Sequence, residues 1–258
     1  MPRPDMRPRR KSSCGLRNSA PSSDDAYVKL PVREATARSA AAALPYVIPF
    51  AVFLGFLALQ KLVSPPAEIE LPLRVVLLAA VLVLFSRPVI DLRSSSPLNS
   101  TLLGVIVFLI WIGPDFFFPA YRSGWLFQNA FTGQLQSSIP AQSLTNPVVL
   151  WSRMVRAVVL VPIIEELFWR GWLMRWLIQP SFERIPLGTY AHAAFWTTAV
   201  LFATEHGPFW DVGLVAGVLY NWWLVRTKTL GDCILAHAVT NACLCGYVVA
   251  TQHWEYWL

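Results

Sequence analysis

The chain has 258 residues, of which 55% are hydrophobic and only 14% are charged, and its mean hydropathy is +0.47. Because a soluble domain usually carries about 25% charged residues, this composition excludes an ordinary soluble domain and predicts an all-α, polytopic transmembrane helical bundle. The net charge of +6 does not predict nucleic-acid binding, because nine of the 21 basic residues lie within the first 43 positions.

The first 43 residues differ in composition from the rest of the chain. They are rich in Arg, Pro, Ser and Ala and show no hydrophobic period, which predicts a disordered basic tail. Basic residues beside a first span favour the cytoplasmic side. We therefore expect a cytoplasmic N-terminus, followed by a transmembrane domain over residues 44–258 in the inner cell membrane. A tail that binds anionic lipid head groups is the alternative.

Apolar runs of about 20 residues, the length that crosses a bilayer core, recur through the rest of the sequence. Seven spans are predicted, or eight if the longest run divides. They cover residues 44–63, 71–90, 98–112, 148–178, 190–206, 210–225 and 232–250. The fourth run is longer than a bilayer requires, and Pro162 is its predicted kink because proline removes a backbone donor.

Within the fourth apolar run, three charged side chains, those of Glu165, Glu166 and Arg170, fall within six consecutive residues. A charge at the centre of a bilayer costs at least about 2.5–3.5 kcal/mol, so such residues are candidates for function. Residues four apart share one helix face, and we expect Glu166 and Arg170 to form a charge-assisted pair. Glu165 is rotated by about 100° and should face another part of the bundle.

Two later spans also carry polar side chains. His206 ends the fifth span, and His237 and Asn241 share one face of the last span. A carboxylate and an imidazole could position and deprotonate water, while a second imidazole and an amide could donate to an oxyanion. Spacing alone does not distinguish which glutamate is the base. Alternatively, each polar group only links neighbouring helices.

Three ordered motifs resemble the CPBP family, which comprises the CAAX prenyl endopeptidase and bacteriocin-processing (Abi) proteins. The resemblance covers roughly residues 148–250 and implies a helical membrane bundle that encloses a polar cavity. It also implies a metal-independent glutamate protease without a cofactor, in which Glu166 and Arg170 form a supporting pair. The motifs are Glu165-Glu166 with Arg170, Phe202 with His206, and His237 with Asn241.

The resemblance implies a role for each of the remaining motif residues. Glu165 would be the general base that activates water, aided by His206. His237 and Asn241 would form the oxyanion hole. The implied function is cleavage of a peptide bond in a membrane-bound protein or peptide.

The first half of the chain is similar to a narrower bacterial branch. Residues 46–50 and 111–119 resemble CAAX-protease-related proteins that are found with exosortase systems. This resemblance implies an exosortase system as a partner and a role in protein sorting or C-terminal processing.

Two other functions are compatible with the same residues. The first is a zinc peptidase with Glu165, His206 and His237 as ligands, since zinc binds these residue types. The second is a membrane scaffold or immunity protein without catalysis. The predicted spans also raise a difficulty, because they place His206 near an outer helix end and His237 near an inner one. Glu205, beside His206, has no assigned role.

Overall fold

The computed structural model describes residues 32–60 and 65–257, and these residues contain seven helices and no β-strand. The expected all-α helical bundle is therefore confirmed. The helices are α1 (Val32–Leu59), α2 (Ala67–Ser86), α3 (Pro97–Phe117), α4 (Pro147–Trp176), α5 (His192–Thr204), α6 (Trp210–Thr227) and α7 (Leu230–Thr251).

Five of these helices, α1 to α4 and α7, are long and apolar enough to cross a membrane. Helices α5 and α6 lie where the fifth and sixth spans were predicted, but neither meets both requirements. The described residues thus contain five candidate spans, and the predicted number of seven to eight is corrected. The 13 residues of α5 extend over only about 20 Å, whereas a bilayer core is about 30 Å thick.

The first helix begins well before the predicted boundary at residue 44. It starts at Val32, so the prediction of a disordered tail is wrong for residues 32–43, while residues 1–31 lie outside the described residues. Alanine has the highest helix propensity, and six alanines fall within residues 35–43. The hydroxyl of Ser39 donates a hydrogen bond to the carbonyl oxygen of Pro180 at 2.6 Å, which attaches this end of α1 to the segment after α4.

The long helix α4 changes from α-helical to wider π-helical turns near Pro162. Two π-helical stretches interrupt it, Arg156–Leu160 and Leu167–Leu173. The first ends just before Pro162, whose ring would crowd the preceding turn of a regular α-helix. Single π-helical turns of this kind are frequent at functional sites, and here they lie on both sides of the adjacent glutamates.

Helix α7 packs closely against α3 because Gly104 has no side chain. A Cβ atom at this position would lie 2.7 Å from the Cβ of Val239 and would strike the carbonyl oxygen of Ala236. The hydroxyl of Thr240 donates to the carbonyl oxygen of Gly104 at 2.8 Å. This close approach sets the rotation of α7 about its own axis.

Asp232 attaches the start of α7 to the segment that leads into α3. Its carboxylate accepts bonds from the hydroxyls of Ser94, Ser95 and Ser100 and from the backbone N–H groups of Ser95 and Ser96. A carboxylate in the first turn of a helix also interacts favourably with the helix dipole. The contact at Asp232 and the packing at Gly104 therefore position the helix that carries His237 and Asn241.

Candidate active site

A cavity of about 310 Å³ lies between α1, α3, α4, α6, α7 and the connection from α5 to α6. Its polar lining includes Glu165 from α4, Glu205 and His206 from the α5–α6 connection, and His237 and Asn241 from α7. Most of the remaining lining is apolar. The four residues predicted as catalytic therefore line one cavity, and Glu205 lines it with them.

His206 reaches this cavity because α5 is short. The helix ends at Thr204, and a tight 3₁₀ turn over Gly207–Phe209 leads directly into α6. Three side-chain atoms lie within 4.8 Å of one another here, one each from Glu165, Glu205 and His206. The predicted separation of His206 from His237 depended on a fifth helix that spans the whole bilayer, and α5 is too short for that.

The supporting pair forms as predicted. Glu166 and Arg170 are both 0% exposed, and the Nη1 atom of Arg170 lies 3.2 Å from Oε1 of Glu166. The guanidinium also donates from Nε to Oδ1 of Asn221 at 2.9 Å and from Nη2 to the carbonyl oxygen of Gly217 at 3.2 Å. The sequence interpretation missed Asn221, although a single amide in the middle of an apolar helix was a signal.

His237 is oriented by this pair. Its Nδ1 atom lies 3.0 Å from Oε1 of Glu166. Because a carboxylate accepts hydrogen bonds, Nδ1 carries the proton, and Nε2 faces Oε2 of Glu165 at 3.9 Å. The imidazole also stacks on the ring of Tyr220, with centroids 5.2 Å apart. Glu166 therefore binds Arg170 and selects the tautomer of His237.

The second histidine is oriented by its own helix. Nδ1 of His206 lies 2.7 Å from the carbonyl oxygen of Phe202, which can only accept, so Nδ1 is again the protonated nitrogen. In the neutral ring, the lone pair therefore lies on Nε2. The ring of Trp111 meets His206 edge-on at a centroid distance of 5.2 Å. A histidine held in this way can accept a hydrogen bond or a proton at Nε2.

The side chain of Asn241 binds a carbonyl group that Pro162 leaves unpaired. Within the π-helical stretch, the N–H of Val161 donates to the oxygen of Arg156, five residues back. The next donor in that register would be Pro162, which has no N–H group. The oxygen of Ala157 instead accepts a bond from Nδ2 of Asn241 at 2.7 Å. One N–H of the amide is thereby engaged, and the other remains for a ligand.

The two carboxylates in the cavity have different partners. Glu165 is 5% exposed, and its Oε2 atom has no hydrogen-bond partner among the described residues. Oε1 of Glu205 accepts a hydrogen bond from the indole N–H of Trp169 at 2.9 Å. Sequence reasoning left Glu205 unassigned. Its position next to His206 was the only signal that linked Glu205 to the site.

Arg153 and Arg156 line the part of the cavity that Trp257 also lines. The guanidinium of Arg153 lies 5.7 Å from the ring centroid of Trp257. Arg156 is 4% exposed and makes no hydrogen bond or ion pair with any residue in the described ranges. The backbone of Trp257 is held by Ser138, whose N–H and hydroxyl both donate to its carbonyl oxygen.

The ligand set expected for a zinc site does not assemble. His237 is bonded through Nδ1 to Glu166, and the group with metal-ligating atoms within 4.8 Å consists of Glu165, Glu205 and His206. The ligand set of the zinc interpretation is therefore corrected, because Glu205 takes the position expected for His237. Two carboxylates and an imidazole suit either proton transfer or a divalent cation.

One family model matches this chain. Residues 147–243 match the model for type II CAAX prenyl endopeptidase Rce1-like proteins. No curated protein and no solved structure matches the chain. The matched segment begins with α4 and ends within α7, so it contains the paired glutamates, both cavity histidines and Asn241. The match covers less than half of the chain, and over this segment it supports the predicted resemblance to the CPBP family: residues 147–243 are similar to the Rce1-like type II CAAX prenyl endopeptidases.

Proposed function

We propose that this protein is an intramembrane endopeptidase, in which Glu165 activates a water molecule that attacks a peptide bond of a membrane-associated substrate. The main support is the position of Glu165. Its carboxylate lies in the cavity with a free oxygen, beside two imidazoles and an amide from other helices. Oε2 of Glu166 also has no hydrogen-bond partner among the described residues, but Glu166 does not line the cavity, so Glu165 is the one of the two that can meet water and substrate there.

The general base acts through the free oxygen of Glu165. Oε2 accepts a proton from water, while Nε2 of His206 accepts the second hydrogen bond of the same water and orients it. The resulting hydroxide attacks the carbonyl carbon of the substrate. The family resemblance implied these roles, and the tautomer of His206 is the one that leaves Nε2 as an acceptor.

Two groups stabilise the oxyanion of the tetrahedral intermediate. The second N–H of the Asn241 amide is one donor, since only the first is bound to Ala157. Nε2 of His237 is the other, and it donates only when the ring is doubly protonated, because Nδ1 already carries the proton that is bound to Glu166.

The substrate is an apolar segment of a membrane-bound protein or peptide. The cavity walls are mostly apolar, and Leu54 of α1 lines the cavity while remaining 40% exposed, which provides an opening on the side where α1 meets lipid. C-terminal processing linked to an exosortase system stays a prediction from the first half of the sequence. So do the inner-membrane location and the cytoplasmic N-terminus.

The decisive experiment compares protein termini in membranes from cells that express the unaltered chain or Glu165→Gln. The variant is nearly isosteric but lacks the base. We expect at least one new C-terminus with the unaltered chain that is absent with Glu165→Gln. Glu255→Gln is the matched control, because its half-exposed carboxylate pairs with the exposed side chain of His253, and this variant should retain the new terminus. Identical termini in all samples would refute the peptidase function.

Two further measurements separate the alternatives. Cleavage that survives a strong zinc chelator supports the metal-independent reaction, whereas loss that is restored by added zinc supports a metallopeptidase with the ligand atoms of Glu165, Glu205 and His206. If Glu165→Gln keeps the full biological effect of the protein, the scaffold or immunity role is supported instead.

A further inference from the structure

We propose that Glu205 is a second catalytic carboxylate, which donates the proton that the leaving amine requires. This inference rests on the proposed peptidase function. It assigns a role to a cavity carboxylate that the three family motifs do not include.

The geometry brings the two carboxyl groups together. An oxygen of Glu165 and an oxygen of Glu205 lie within 4.8 Å of each other and of a ring nitrogen of His206. All three side chains line the same cavity. The indole of Trp169 donates to Oε1 of Glu205, and a side-chain hydrogen bond joins Glu205 to Glu165. Glu205 therefore reaches the space in which Glu165 and His206 would hold the water.

The charges around the two carboxyl groups do not balance. Arg170 is engaged with Glu166, Asn221 and Gly217, and the other two arginines of the cavity, Arg153 and Arg156, line the part that Trp257 also lines. Two ionised carboxylates so close together in a buried site repel each other strongly, and such pairs commonly hold one proton between them. The pair of Glu165 and Glu205 therefore contains one base and one acid.

The position of the shared proton decides the role of each carboxyl group. Oε1 of Glu205 accepts a hydrogen bond from Trp169, whereas Oε2 of Glu165 has no hydrogen-bond partner among the described residues and faces Nε2 of His237 at 3.9 Å. With the proton on Glu205, the free oxygen of Glu165 is the base that the family motifs imply, and the O–H of Glu205 is the acid.

The reaction balances with these two groups. Glu165 takes one proton from water, and the hydroxide oxygen bonds to the carbonyl carbon of the substrate. The C–N bond then breaks, its electron pair goes to nitrogen, and the O–H of Glu205 supplies the proton that makes a neutral amine. The products are a carboxylic acid and an amine. Finally, the proton on Glu165 passes to the carboxylate of Glu205, and the resting state returns.

The test compares Glu205→Gln with the unaltered chain on two probes that differ only in the scissile bond. Glutamine keeps an oxygen that can accept from Trp169 but has no transferable proton. The probe is a peptide that spans the cleavage site identified by the comparison of termini, made once as the amide and once as an activated ester. An amine must be protonated to leave, whereas an activated phenolate leaves without a proton.

We expect Glu205→Gln to lower kcat for the amide by about 10²–10⁴-fold, the usual contribution of general acid catalysis, and to change kcat for the ester by less than about tenfold. Glu165→Gln should abolish turnover of both probes. Glu205→Asp, which keeps the carboxyl group, should recover part of the amide activity. The thermal midpoint of each purified variant serves as the folding control.

Three results would overturn the role of Glu205. They are an equal loss of amide and ester turnover in Glu205→Gln, full amide turnover in that variant, and cleavage that zinc restores after chelation. The first result would show that Glu205 positions neighbouring groups. The second would show that Glu205 has no role in the reaction, and the third that it is a metal ligand. Failure of the peptidase function itself is distinguishable, because turnover of both probes by Glu165→Gln would then equal their turnover by the unaltered chain.

Discussion

Replacing Arg170 with methionine removes one partner of a fully buried ion pair. The guanidinium loses its bonds to Glu166, Asn221 and the carbonyl oxygen of Gly217. Methionine fills much of the same volume, so loss of packing is the smaller effect. The larger effect is electrostatic, because Glu166 is 0% exposed and retains only His237 as a partner.

The expected cost follows from this burial. Removing one member of a buried pair destabilises a protein by about 3–5 kcal/mol, because the other charge is left without compensation. A loss of about 4 kcal/mol corresponds to roughly a thousandfold change in the unfolding constant. Loss of Arg170 should also release the ring of His237, so cleavage should fall together with stability.

The assay is equilibrium unfolding of the purified protein in mixed micelles, monitored by helical circular dichroism. The matched control is Arg175→Met on the same helix. Arg175 is also buried, but it donates only to the backbone carbonyl oxygens of Gly171 and Ile185, so no carboxylate is left unpaired. The Arg175→Met substitution should lower the free energy of unfolding by less, about 1–3 kcal/mol.

A double variant tests whether the unpaired charge causes the loss. Glu166→Gln combined with Arg170→Met removes both charges, so the double variant should be more stable than Arg170→Met alone. The reasoning is refuted if Arg170→Met costs no more than Arg175→Met and if Glu166→Gln adds further destabilisation instead of offsetting it.

Two further variants test other buried charges by the same unfolding assay. Asp232→Asn should lower the free energy of unfolding by about 1–3 kcal/mol, because the charged acceptor of five hydrogen bonds becomes a neutral amide; exposed Asp91→Asn is its control, and equal effects would contradict the role of Asp232. Arg156→Met should leave stability unchanged or raise it by about 1 kcal/mol or more, since it removes a buried charge that Arg153 and Arg74 repel more strongly than Glu70 attracts it. A clear loss of stability in Arg156→Met would refute that expectation, with Arg226→Met as the surface control.

The features that depend on neighbouring residues could be predicted from the sequence. Composition and long apolar runs predicted an all-α membrane bundle, and the seven helices within residues 32–60 and 65–257 confirm it. The spacing of four residues predicted the Glu166–Arg170 pair, because helix geometry alone brings such side chains together. The same geometry placed Glu165 on a different face, where it lines the cavity.

The features that depend on distant residues were missed or misplaced. Counting apolar residues predicted a full span that ends at His206, but α5 has only 13 residues and its connection to α6 returns to the cavity. No local pattern showed that Pro162 would free the oxygen of Ala157 for Asn241, 84 residues further along the chain. Nor did any motif include Glu205.

The sequence by itself determined the membrane class, the family motifs and the pairing of Glu166 with Arg170, because hydropathy and helical period act over a few residues. Only the tertiary structure decided which carboxylate stays unpaired, which nitrogen of each histidine carries the proton, and that Glu205 stands beside Glu165. These properties arise from contacts between α4, α7 and the α5–α6 connection. Such contacts depend on helix length and packing, which no single segment of the chain encodes.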